Sequence, residues 1–182
     1  MVDKKERHFF LLPEFEKEEE YLMEMAKKGY LLEKVSITGK YYFKKSNSAN
    51  MIYRIDFNPD KDFESYIQMY KDYGWEYIQD LNGFSYFRKV NDGTENEIFN
   101  DIESKIDMIE KISNRRMLPI IIIFLCTVIP NVIRMTINET FTDTVSIIFY
   151  AFWIVLLVVY IYTITRCTIG FNKLREKYNI KK

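Results

Sequence analysis

The sequence predicts an α+β fold on a membrane anchor: a tandem β-α-β-β repeat forming an antiparallel sheet with two helices on one face, then a helical stalk and a two-helix transmembrane hairpin. Three observations predict it. An offset of 45 brings Tyr21 onto Tyr66, Leu22 onto Ile67, Met25 onto Tyr70, Gly29 onto Gly74 and Tyr30 onto Trp75. Apolar residues alternate in the segments flanking these matches, as half-buried strands require. Two uninterrupted apolar stretches, Met117–Ile137 and Thr144–Thr165, are each about the 20 residues needed to cross a bilayer.

The elements follow in order. A strand is expected near residues 8–12, where Phe9-Phe10-Leu11-Leu12 precedes Pro13 and matches the segment from Arg54 to Pro59. A helix starts after Pro13 with Glu14, Glu16, Glu18, Glu19 and Glu20, and ends at Lys27-Lys28-Gly29. Early acids and late bases suit the helix dipole, and the glycine allows a left-handed exit. Strands are expected near 30–37 and 40–46 around Gly39, then at 51–57, where Met51, Tyr53, Ile55 and Phe57 alternate with Ile52, Arg54 and Asp56. The second helix starts at Pro59-Asp60 and stops at Gly74, with Phe63, Tyr66, Ile67 and Tyr70 on one face. Strands at 75–80 and 84–90 close the unit around the Asn82-Gly83 turn. Residues 1–93 thus form one domain, large enough to bury a core. Residues 94–116 are expected to be an amphipathic stalk, with Ile98, Ile102, Ile106, Ile109 and Ile112 in line; a short coiled coil is the alternative. Spans at 117–137 and 144–165, a loop at 138–143 and a basic tail at 166–182 complete the chain.

Charge sets the expected orientation. Residues 117–182 carry 7 bases against 3 acids, whereas residues 1–90 carry 15 against 16 and residues 91–116 carry 4 against 7. Lys111, Arg115 and Arg116 precede the first span, and Arg166, Lys173, Arg175, Lys177, Lys181 and Lys182 follow the second. Positive flanks stay inside, so both termini are expected in the cytoplasm and the short loop outside, with Arg134 reaching the outer headgroups. Residues 1–90 show no basic stripe, which argues against direct nucleic-acid binding. Cys126 and Cys167 fall in the first span and just past the second, so no disulfide is expected; Cys167 reads as an apolar filler, with palmitoylation as the alternative.

Little catalytic chemistry is available, and no enzyme, cofactor or metal is expected. His8, the only histidine, sits near the N-terminus. There is no phosphate loop, zinc spacing or nucleophile elbow. The run Glu16, Glu18, Glu19, Glu20 reads as a solvated helix start rather than a metal site. Asn138-Glu139-Thr140 matches a glycosylation pattern but lies beside the bilayer. What remains is an aromatic surplus on the strands. Tyr30, Tyr53, Trp75, Tyr77 and Tyr86 are the candidate ligand- or partner-binding residues, because tyrosine and tryptophan suit half-wet surfaces. The competing reading is that these rings simply fill the core and its rim. Trp75→Ala, as a surface change, is expected to leave the domain folded and disturb binding.

The segments EYLMEMAKKGYLLEK, GKYYFKK, MIYRIDF and YIQMYKDYGWEYIQ followed by YFRK resemble the bacterial membrane-protein family catalogued as domain of unknown function 2812. The resemblance covers residues 5–90, and the two spans fit the family layout. It implies a Gram-positive type source, a multi-pass plasma-membrane location and genes beside PadR-like regulators, and it supplies no catalytic residues. The tandem repeat is also similar to gyrase-inhibitor-like small-molecule-binding domains, at fold level only. The expected function is a membrane-tethered cytosolic sensor or regulatory module, taking a small apolar ligand or a protein partner. The alternative is a non-catalytic interaction subunit whose spans assemble with another membrane protein through Thr127, Asn131, Tyr150 and Trp153; the expected protein partner is a different chain or a second copy in a homo-oligomer.

Overall fold

The computed structural model describes residues 2–47, 50–59, 62–91, 93, 102–137 and 144–178. The expected loop 138–143 with its glycosylation pattern, stalk residues 94–101 with Ile98, Asp60 at the second helix start, and Lys181 and Lys182 lie outside the described residues. The chain divides into two compact units, Met1–Lys111 and Ile112–Lys182.

The first unit holds β1 (Lys4–Arg7), α1 (Phe15–Lys27), β2 (Tyr30–Val35), β3 (Lys40–Lys45), β4 (Met51–Phe57), α2 (Phe63–Asp72), β5 (Glu76–Leu81), β6 (Phe84–Val90) and most of α3 (Ile102–Ile112). The α+β class and the β-α-β-β repeat are as expected. The six strands are shared between two antiparallel three-stranded sheets, β1-β3-β2 and β4-β6-β5, in the same order within each repeat. The likeness extends to irregularities. The β2–β3 ladder slips between Leu32 and Lys34, and the β5–β6 ladder slips between Tyr77 and Gln79, at equivalent places. Tyr21 of α1 donates its hydroxyl to Glu6 of β1, and Tyr66 of α2 donates its hydroxyl to Asp56 of β4. Each helix thus covers the equivalent face of its own sheet. Gly29 and Gly74 end the helices at φ 83° and 79°, the left-handed exit that a Cβ disfavours.

The first strand corrects the expectation. It lies at Lys4–Arg7 rather than 8–12, with Lys4 opposite Phe43 and Arg7 opposite Lys40. The apolar run beyond it serves a different purpose. Leu11 N–H donates to the Glu14 carboxylate at 3.0 Å, turning the chain into α1 at Pro13, while Phe10 packs beside Tyr21 and Tyr41. Phe9 is left exposed beside Gly39.

The two sheets meet through side chains. The outer edge of β2 lies on the second sheet: Leu32 N–H donates to the Tyr53 hydroxyl, Arg88 donates to Leu32 C=O, and the Gln79 amide both accepts from Val35 N–H and donates to Val35 C=O. Buried backbone groups need partners, and one amide here replaces a missing strand. Arg88 is held in turn by a two-point pair with Glu76 at 2.6 and 2.7 Å.

In the second unit, helical backbone runs through a π turn Ser113–Met117, α4 (Leu118–Ile123), a π turn Phe124–Val128 and α5 (Ile129–Ile137), followed by α6 (Thr144–Lys177). Each π turn ends two residues before a proline, Pro119 or Pro130, where the ring would collide with the carbonyl four residues back. Thr127 and Asn131 donate to Ile123 C=O and Thr127 C=O, so both polar side chains are satisfied within their own helix. Phe124 stacks on Tyr160 at 5.5 Å between α6 and the preceding helical run. Two helical stretches, Lys105–Arg134 and Ile147–Lys177, are long and apolar enough to cross a membrane. Cys167 is buried with Phe171 and Leu174 at helical spacing, and Cys126 is exposed.

Candidate functional site

The site grows from α1, which lies between the two sheets. Tyr21 meets Tyr41 and Phe43 of the first sheet, and the neighbouring carboxylates reach the second. Glu18 accepts hydroxyls from Tyr41 (2.6 Å) and Tyr86 (2.9 Å), tying β3 to β6. Burial pushes its carboxyl above the usual range, against the pull of the two phenols. Glu19 accepts the Ile55 N–H at 2.7 Å on the free edge of β4, with the Arg54 guanidinium 3.7 Å away. Burial raises its pKa to about 7 despite Arg54. The solvated face expected for this acidic run is therefore corrected at Glu18 and Glu19, which are 7% and 8% exposed because two sheets enclose the helix.

Beside Glu19 is a cavity of about 280 Å³. Phe15 and Glu19 of α1 form one wall, Arg54 to Phe57 of β4 another, Tyr66, Met69 and Tyr70 of α2 a third, and Lys105, Asp107, Met108 and Lys111 of α3 the last. Its volume is near the lower end of small-molecule sites, and apolar walls around a few convergent polar groups are their usual make-up. Asp56 accepts the Tyr66 hydroxyl at its edge. Among the described residues, Arg54 Nε is buried with no hydrogen-bond partner, and the Arg54 side chain forms part of the wall. No group of three or more metal-ligating side chains occurs among the described residues.

The five aromatic candidates do not come together. Tyr53 (1% exposed) and Tyr86 (5%) lie on the buried face of the second sheet toward α1 and β2. Trp75 (3%) packs on the opposite face with Tyr66, Ile67, Tyr70 and Phe87, and half-buried Tyr77 lies against that cluster. Tyr30 sits apart in β2 under the Lys4 ammonium. The expected exposure of Trp75 is thus corrected: α2 covers it, and Tyr70 stacks on Phe87 beside it at 3.7 Å. The cavity is not legible from the β4 pattern alone, in which Ile52, Arg54 and Asp56 only alternate with the apolar residues. The available signal was the position of Arg54 and Asp56 facing the helix stripe Tyr66–Tyr70.

Fold and site define a small two-sheet α+β domain with a half-open pocket, followed in sequence by two membrane-length helices. The chain belongs to the family described as Protein of unknown function (DUF2812), whose sequence pattern matches residues 14–123. That match begins after β1 and takes in the rest of the repeat, α3 and the beginning of the first apolar helix. No match was found to a curated protein or to a solved structure.

Proposed function

We propose that this protein is a membrane-tethered sensor module whose cavity between α1, β4, α2 and α3 binds a small, largely apolar molecule carrying a hydrogen-bond acceptor. The observation that carries the reading is the pocket itself, walled by Phe15, Tyr66, Met69, Tyr70 and Met108, with the Glu19 carboxylate and the partly exposed Arg54 guanidinium 3.7 Å apart in its wall. Because α3 supplies one wall and continues directly into the first apolar helix, occupancy of the cavity would bear on the segment leading to the membrane. We place the repeat domain and both termini in the cytoplasm and the protein in the plasma membrane as a two-span anchor. Arg115 and Arg116 before the first span, and Arg166, Lys173, Arg175 and Lys177 after the second, support that orientation.

A thermal-shift screen of the full chain in detergent with small amphiphilic acids, esters and amides tests the reading. Binders should raise the melting temperature of the natural protein and not that of Met108→Trp, whose indole fills the cavity. Binders that act equally on both proteins, or none at all alongside a co-purifying membrane protein, would favour the interaction-subunit reading instead.

A further inference from the structure

The outer face of the first sheet, opposite α1, carries a set of cations that the linear charge count conceals. The register of β1, β3 and β2 puts Lys5, Arg7, Lys40, Tyr42, Lys44, Leu31 and Lys34 on this one face. The five cations are exposed, and among the described residues no ion pair involves any of them. Asp3, beside Lys44, accepts the Lys45 N–H at 2.8 Å, and Glu33 borders the face at the bulge. The expectation that the domain lacks a basic stripe is thereby corrected: strand alternation gathers five bases on one side, with Asp3 and Glu33 at its margin. At one corner of the same sheet, the β2–β3 turn projects Ile37, 74% exposed, and Phe9, 71% exposed, rests beside Gly39 of that turn. Arg7 lies 5.8 Å from the Phe9 ring, and a shallow hollow is lined by Val2, Glu33, Lys34, Ile37, Tyr42 and Leu81.

We propose that this face docks on the surface of an anionic bilayer, with the cations against lipid phosphates and Ile37 and Phe9 entering the headgroup region. Charge complementarity and the apolar tips argue for lipid, since basic clusters paired with inserted apolar residues give the two signals that stable surface binding needs. The inference rests on the reading of the two long helices as membrane spans, which keeps a bilayer always within reach of the domain.

The test uses the full chain in nanodiscs of zwitterionic lipid alone or with one-third anionic phosphatidylglycerol. Acetylation rates of individual lysines are read by mass spectrometry. Lys5, Lys34, Lys40 and Lys44 should react several-fold more slowly in anionic discs, with Lys28 and Lys71 unchanged, and 1 M salt should abolish the difference. Lys40→Gln should lower the docked-to-free ratio about fivefold, the contribution of one surface cation, with an unaltered melting temperature confirming the fold. Equal rates in the two lipids, in protein that has incorporated into discs, would overturn the proposal. So would protection of these lysines by added RNA, rather than by anionic lipid, in zwitterionic discs. Failure to incorporate would instead count against the membrane anchor itself.

Discussion

Glu19 gives the domain a pH-dependent stability of calculable sign and size. Its carboxyl is enclosed by α1 and β4, accepts one backbone N–H, and titrates at about 7 instead of 4.5. The folded protein therefore holds this proton more tightly than the unfolded chain does. The resulting stability is fully present below pH 4.5 and is lost as pH rises through about 7. The gap between those values, at about 1.36 kcal/mol per pH unit, amounts to about 3 kcal/mol. Glu19→Gln keeps an acceptor for Ile55 N–H and cannot ionise. Thermal unfolding of both full-length proteins in detergent, followed by near-ultraviolet circular dichroism from pH 4.5 to 8, isolates the effect. The difference between them should move toward the variant by about 3 kcal/mol over that range, at about 4–8 °C per kcal/mol for a domain of this size. A difference that stays flat, or moves toward the natural protein, would mean that Glu19 is ionised throughout and held by Arg54, and the reasoning would be refuted.

Trp75→Ala should cost about 3–5 kcal/mol, as for a buried ring, and lower the melting temperature accordingly; a variant that melts like the parent would restore Trp75 as a surface residue. Gly39→Ala should destabilise by about 2 kcal/mol or more, because its Cβ would lie 2.4 Å from the His8 carbonyl oxygen at a φ of 69°. Gly74→Ala should lose only about 1 kcal/mol, since the nearest atom is the flexible Lys89 Cε at 3.6 Å; equal losses would show that the strand end beside Gly39 is not as described. Gln79→Ala removes both partners of the Val35 backbone, so it should cost about 1–3 kcal/mol and speed hydrogen exchange at the Val35 amide.

The repeat was legible because its marks are local. Glycine caps, the stripe Tyr66–Ile67–Tyr70 and the Asn82-Gly83 turn act within a few residues of themselves, and each forms where the sequence puts it. Asn82 even takes the positive φ, 52°, that a tight hairpin turn asks of it. The errors lie where one segment's fate depends on a distant one. Phe9-Phe10-Leu11-Leu12 has the composition of a strand, yet β3 pairs with the more polar Lys4–Arg7, and the apolar run closes the entrance to α1 instead. Glu18 and Glu19 look like solvent-facing dipole charges until the second sheet supplies Tyr86 and the Ile55 N–H. The aromatic candidates Tyr53 and Tyr86 have the composition of a wet surface, but the β2 edge and α1 seal that face. Nor can periodicity within one strand show that a Gln79 amide replaces a neighbouring strand at Val35.

The claim that the repeat domain is tethered on the cytoplasmic side is tested most directly by thiol labelling in intact cells. With Cys126 and Cys167 changed to serine, single cysteines would be placed at Thr140 between the spans, at Thr38 in the exposed β2–β3 turn and at Lys181 in the tail. A membrane-impermeant maleimide should label Thr140→Cys at once, and Thr38→Cys and Lys181→Cys only after permeabilisation. Labelling of Thr38→Cys in intact cells, with Thr140→Cys protected, would contradict the account.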